Sequence, residues 1–147
     1  MLLLQLLEDV LSKKWWVLFL AYCGFIVWMT LLSRTIKERE FELGLFWGLR
    51  MWIDGEPQGW SVVIQYINNI FLFIPFGLFL SGIVEKKWML VAIIALGSSA
   101  LIEVTQYITA RGLAEVDDVI SNMIGAVAGN LLWKCGKKLR KWYTDVR

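Results

Sequence analysis

Between positions 15 and 33 the chain runs without a single formal charge, from Trp15 through Ser33. A bilayer core is about 30 Å thick, so a helix needs roughly 20 apolar residues to cross it. Few soluble folds tolerate such a run, and it recurs. A second apolar segment covers 62–84, broken only by Gln65, Asn68 and Asn69, and a third covers 88–110 with one charge, Glu103. A fourth, over about 119–134, is shorter but strongly apolar. With 58% hydrophobic residues in 147, the chain exceeds the roughly 45–50% of a soluble domain. The expected fold is therefore all-α, an integral membrane bundle of about four transmembrane helices in a single domain, 1–147.

The connecting segments add detail. Residues 1–14 are apolar and end in Glu8, Asp9, Lys13 and Lys14, without the basic start and small-residue site of a signal peptide. They read as an interfacial helix leading into span one. The connection 34–60 opens on the charged stretch RTIKEREFE. Its aromatic middle, FELGLFWGLRMW, is too short to span and suits a second interfacial helix. Pro75 and Gly77 are expected to kink span two. Ser121, Gly125 and Gly129 give span four a small-residue face for close packing.

Orientation follows the basic residues. With both termini inside, Lys13, Lys14, Lys86, Lys87, Lys134, Lys137, Lys138, Arg140, Lys141 and Arg147 lie in the cytoplasm. Arg34, Lys37, Arg39, Arg50 and Arg111 lie outside. Ten against five places both ends in the cytoplasm. Glu103 then stands 16 residues past Lys87, about 24 Å from the inner boundary at 1.5 Å per residue. Gln106 is one turn further out, Asn68 and Asn69 occupy the outer part of span two, and Arg111, Asp117, Asp118 and Asn122 follow. Amides, carboxylates and a guanidinium thus converge on the outer-leaflet side.

An ionisable group inside a span costs about 2.5–3.5 kcal/mol on insertion scales, so Glu103 requires either a partner or a function. As a structural lock it pairs with Arg111 or accepts from Asn69 and Asn122; as a site it serves a headgroup or a proton; the third alternative is a lipid-facing edge position. Arg111 can equally neutralise Glu103, hold a phosphate or anchor depth. Asp117 and Asp118 can complement a helix N-terminus, which accounts for one acid better than for two. Histidine is absent, no metal-ligand spacing occurs, and Cys23 and Cys135 lie at different depths. No metal or other cofactor is therefore expected. The basic tail lacks the motifs and grooves of a nucleic-acid binder, so no nucleic acid is expected either.

The order NIFLFIPFG (69–77), IEVTQ (102–106), Arg111 and VDDVISNMIGAVAG (116–129) resembles the VanZ-like family. Matching positions are Asn69, Pro75, Gly77, Glu103, Gln106, Arg111, Asp118, Asn122, Gly125 and Gly129. The resemblance implies a bacterial multi-pass protein of the inner (cytoplasmic) membrane, associated through its namesake with low-level resistance to the glycopeptide teicoplanin. Its implied partners are membrane lipids, a lipid-linked cell-wall precursor, or the glycopeptide.

Three functions remain open at this point. One is a membrane protein binding or modulating an amphipathic envelope ligand through Asn69, Glu103, Gln106, Arg111, Asp118 and Asn122. Another is an enzyme with Glu103 and Asp118 as acid and base, and the third is a carrier. The missing histidine weighs against the enzyme. The lack of polar steps in the inner halves weighs against the carrier. Binding is favoured.

Overall fold

The structure is a computed structural model that describes all residues except Met1, Lys37, 85–87 and Arg147, and side chains from Lys13 onward. Lys86, Lys87 and Arg147, counted toward the orientation, therefore lie outside the described residues, as does Lys37. Helix α1 runs Leu2–Val27 and passes into a π-helical turn, Trp28–Leu32. Strand β1 (Glu40–Glu42) and the short helix α2 (Trp47–Ile53) follow. Helices α3 (Gly59–Val84) and α4 (Trp88–Thr109) come next, then strand β2 (Leu113–Glu115) and the long helix α5 (Val116–Asp145).

Among the described residues three segments are long and apolar enough to cross a membrane: Lys13–Leu32, Gly59–Val84 and Trp88–Thr109. Helix α5 falls short of that measure. Its apolar stretch is bounded by Asp117 and Asp118 on one side and by Lys134 on the other. The segment before Trp15 is not a separate interfacial helix, because α1 continues through it without a break. Among the described residues of the long connection, Trp47–Ile53 is helical before α3 begins at Gly59, and Phe41 lies in β1.

Inside and outside are exchanged relative to a soluble bundle. Val17, Leu20, Phe71, Ile93, Leu101, Ile108 and Leu132 are all exposed, while Glu103, Gln106, Glu115, Asp117, Asp118 and Asn122 are buried. Apolar surface left on the outside is stable only against something apolar.

The core forms where α5 presses against α3. A Cβ on Gly125 would collide with the Ile70 carbonyl, one on Gly129 with that of Ile74, and one on Gly77 with that of Ala126. Backbones this close leave room for hydrogen only, which is why small residues recur on both helices. Phe73, Phe76, Leu80, Val91, Ala95 and Ala126 fill the remaining interior. Pro75 sits inside an unbroken α3, and in the turn before it the Leu72 carbonyl accepts the Tyr22 hydroxyl at 2.7 Å. This bond ties α1 to α3 one turn before the proline. At the opposite end from the polar cluster, Trp15 stacks edge-on to Trp133 at 4.7 Å.

The ladder between β1 and β2 was not legible beforehand. It is parallel, pairing Glu40 with Leu113, Phe41 with Ala114 and Glu42 with Glu115. Helices α1 and α4 leave the bundle at the same end, so the strands that follow them leave in the same direction.

Candidate functional site

Chain exits and entries collect the polar groups at one end. Helix α4 stops with Ala110 in the left-handed region at φ 55, while the Arg111 N–H returns to the Gln106 carbonyl at 3.0 Å. That turn satisfies a terminal carbonyl and swings the chain back over α1. Arg111 there donates to the carbonyls of Leu31 (3.3 Å) and Arg34 (3.4 Å). It secures the end of the π-helical turn and does not pair with Glu103, so the expected Glu103–Arg111 lock is not made.

Glu103 instead accepts the backbone N–H of Glu115 at 3.0 Å, tying α4 to β2. Glu115 is the hub of a second layer: its carboxylate accepts from Trp47 Nε1 at 2.9 Å and from Gln65 Nε2 at 3.1 Å. The same Gln65 nitrogen reaches Asp118 at 3.2 Å. Asp117 serves the loop. It accepts the Phe46 N–H at 2.9 Å and the Tyr66 hydroxyl at 2.8 Å, and Tyr66 in turn accepts the Gly48 N–H at 3.1 Å. The residue that caps α5 makes no side-chain cap bond, and Asp117 anchors α2 rather than its own helix.

Arg34 is the cation of this assembly. Its guanidinium acts electrostatically on both Glu103 and Asp118. A Cβ on Gly112 (φ 135) would stand 2.6 Å from Arg34 Nη1, so the glycine leaves the space the guanidinium occupies. Burial, reinforced by the nearby Asp118 charge, pushes the Glu115 carboxyl up to about 7.

The remaining expected residues lie at the same end in separate contacts. Asn69 packs beside Asp118, yet its buried Nδ2 has no partner of hydrogen-bonding geometry. Gln106 donates to the Thr30 carbonyl at 3.1 Å and leaves Oε1 unpartnered. Asn122 donates to Ser99 Oγ at 2.7 Å and leaves Oδ1 unpartnered. Three unspent polar atoms at one end of a tight interior mark a place with capacity to receive hydrogen bonds or give them. Deeper in the bundle Asn130 donates to Ser81 Oγ at 2.8 Å and likewise leaves Oδ1 unpartnered, a polar step away from the cluster that sequence reasoning overlooked.

Two polar clefts and one apolar groove meet here. Arg34 and Gln65 line both clefts, one of about 480 Å³ with Trp47 and Glu115, the other of about 380 Å³ with Asn68 and Asn69. The groove, about 440 Å³, lies between Phe41, Ala100, Val104 and Tyr107, with Glu103 and Glu115 at its wall. Glu115 therefore faces both the groove and the larger cleft. Arg34, Gln65, Trp47 and Glu115 were not among the expected site residues. The available signals were weak: Arg34 is the first charge after span one, and Gln65 is a polar break in span two. Among the described residues no cluster of three potential metal ligands occurs.

An apolar exterior around an interior that gathers its carboxylates and amides at one end defines a helical bundle of the membrane type. The chain belongs to the VanZ/LLP1 family, whose model matches residues 19–137. Comparison with curated proteins and with solved structures finds no match.

Proposed function

We propose that this protein is a bacterial multi-pass membrane protein that binds an amphipathic, lipid-linked envelope ligand at its polar end. In this reading α5 makes a fourth crossing, packed against α3 and α4 on one side and presenting Ile124, Leu131 and Leu132 to lipid on the other. Both termini lie in the cytoplasm and the polar end faces the outer leaflet. One observation carries the ligand class: polar clefts walled by Arg34 and Gln65 adjoin an apolar groove, and Glu115 borders both. A headgroup held by Arg34, Gln65, Asn68 and Asn69 leaves an attached chain beside Phe41 and Tyr107. Such binding accords with the family's association with glycopeptide resistance, since both drug and lipid-linked precursors meet the membrane from outside.

The experiment is purification of the full chain in mild detergent, with identification of co-isolated lipids by mass spectrometry. The expected result is an envelope lipid carrying a large polar headgroup, retained by the wild type and lost in Arg34→Gln. Retention of the same lipids by both proteins would overturn the reading.

A second reading rests on Glu115. A carboxyl that titrates near 7 beside Glu103 and Asp118 can pass a proton at neutral pH, as a membrane enzyme using carboxylate acid–base chemistry requires. Turnover of the co-isolated lipid by wild type but not by Glu115→Gln would favour it over binding alone.

A further inference from the structure

The opposite end of the bundle holds a cleft of about 670 Å³ that the polar-end site does not use. Its floor is apolar, formed by Leu78 of α3 with Leu132 and Trp133 of α5. Its rim is basic, formed one to two turns further along α5 by Lys137, Arg140 and Lys141. Trp15 closes the side, fixed edge-on to Trp133 and seated on Gly82, where a Cβ would come within 2.7 Å of its ring. Lys137 Nζ stands 5.5 Å from the Trp133 ring centroid, which holds that ammonium at the junction of floor and rim.

Charge and geometry select the occupant. From Lys134 to Lys141 the helix carries Lys134, Lys137, Lys138, Arg140 and Lys141, and no acid appears before Asp145. Three of these cations share the rim above an apolar floor that opens beside the lipid-facing Leu131 and Leu132. A soluble anion would satisfy the rim and leave the floor bare, and a neutral lipid would do the reverse. Gly136 lies between floor and rim, and a Cβ there meets nothing within 4 Å. The glycine is not demanded by packing within the chain, and its empty face belongs to the cleft.

We infer that this cleft is a binding site for an anionic phospholipid, its phosphate held by Lys137, Arg140 and Lys141 and its first acyl carbons on Leu78, Leu132 and Trp133. The site rests on the membrane reading but not on the ligand of the polar end. Basic residues at a cytoplasmic boundary are attracted to anionic leaflets in general; the built floor makes this a defined site rather than a diffuse attraction.

The test is native mass spectrometry of the delipidated full chain with dioctanoyl phosphatidylglycerol, dioctanoyl phosphatidylcholine or glycerol phosphate. The expected result is one phosphatidylglycerol adduct at concentrations at least tenfold below those needed for phosphatidylcholine, and none with glycerol phosphate. Lys137→Gln/Arg140→Gln should abolish that preference, while the charge-matched Lys134→Gln/Lys138→Gln should keep it. Gly136→Leu sets its Cβ in open space and an isobutyl group between floor and rim, so it should lose the adduct while its unfolding temperature holds or rises. Equal loss in both double variants would reduce the effect to net charge and overturn the site, as would an adduct surviving Gly136→Leu. Glycerol phosphate binding as well as the lipid would overturn the lipid assignment. Arg34→Gln should leave the adduct unchanged, so failure here is separable from failure at the polar end.

Discussion

Glu103 and Glu115 are joined through carboxylate and backbone: Glu103 on α4 accepts the N–H of Glu115 on β2 at 3.0 Å. The acid within the span thus holds a strand, and the strand carries the second acid to the border of groove and cleft. The contact needs an acceptor at position 103, not a charge. Glu103→Gln keeps an acceptor and removes an ionisable carboxyl from a cluster that includes Glu115, Asp117 and Asp118. Its unfolding temperature in detergent should stay level or rise, while lipid retention at the polar end falls. Glu103→Ala leaves the Glu115 N–H unsatisfied and should cost about 1–3 kcal/mol. Equal destabilisation by both variants would show that the charge itself holds the fold.

Glu115 makes stability depend on pH. Its carboxyl titrates at about 7 in the folded protein, against 4.5 in an exposed chain. Between those values the folded state holds more protons than the unfolded one, so stability is greatest below about 4.5 and declines as pH rises toward 7. Thermal unfolding followed from pH 4.5 to 7.5 should show that decline, and Glu115→Gln should lessen it, leaving the share of Asp118, whose carboxyl is also raised by burial. An unchanged slope in the variant would place the titration elsewhere.

The contact between α3 and α5 predicts a contrast among glycines. Gly77→Ala and Gly125→Ala drive a methyl into the facing backbone and should each destabilise by about 1–3 kcal/mol, the usual range for overpacking. Gly97→Ala meets nothing within 4 Å inside α4 and should stabilise by up to about 1 kcal/mol. Unfolding temperatures in one detergent decide the ordering.

The proposed orientation is open to chemistry. With Cys23 and Cys135 replaced by serine, single cysteines at Glu38 and Glu56, both exposed, should react with a membrane-impermeant maleimide added to whole cells. A cysteine at Lys138 should react only after permeabilisation. The reverse pattern would invert the topology.

Gly112 supports Arg34 from a backbone conformation, φ 135, that a side chain tolerates poorly. Gly112→Ala should destabilise by about 1–3 kcal/mol, and its methyl should displace the guanidinium. Loss of polar-end lipid retention in that variant, measured at a temperature where it remains folded, links the glycine to the site. Full retention would separate them.

Sequence alone determined the helical class, three of the four spans expected from it, and the shared end of Glu103, Gln106, Arg111, Asp118 and Asn122. Those properties depend on hydropathy along the chain and on the rise per residue, and both are local. The close packing of Gly125 and Gly129 was legible for the same reason, since helical spacing puts them on one face. Partners were not legible. Glu103 meets a strand three residues long that has no distinctive composition, and the strand exists only because β1, from a loop 71 to 75 residues away in sequence, lies beside it. Arg111 finds carbonyls of another helix end, and Arg34 enters the site because Gly112 leaves room for it. A hydrogen bond is decided by tenths of an ångström and by angle, whereas sequence spacing fixes depth to within about a helical turn. Depth therefore brought these polar residues to one end, and tertiary packing chose which of them touch.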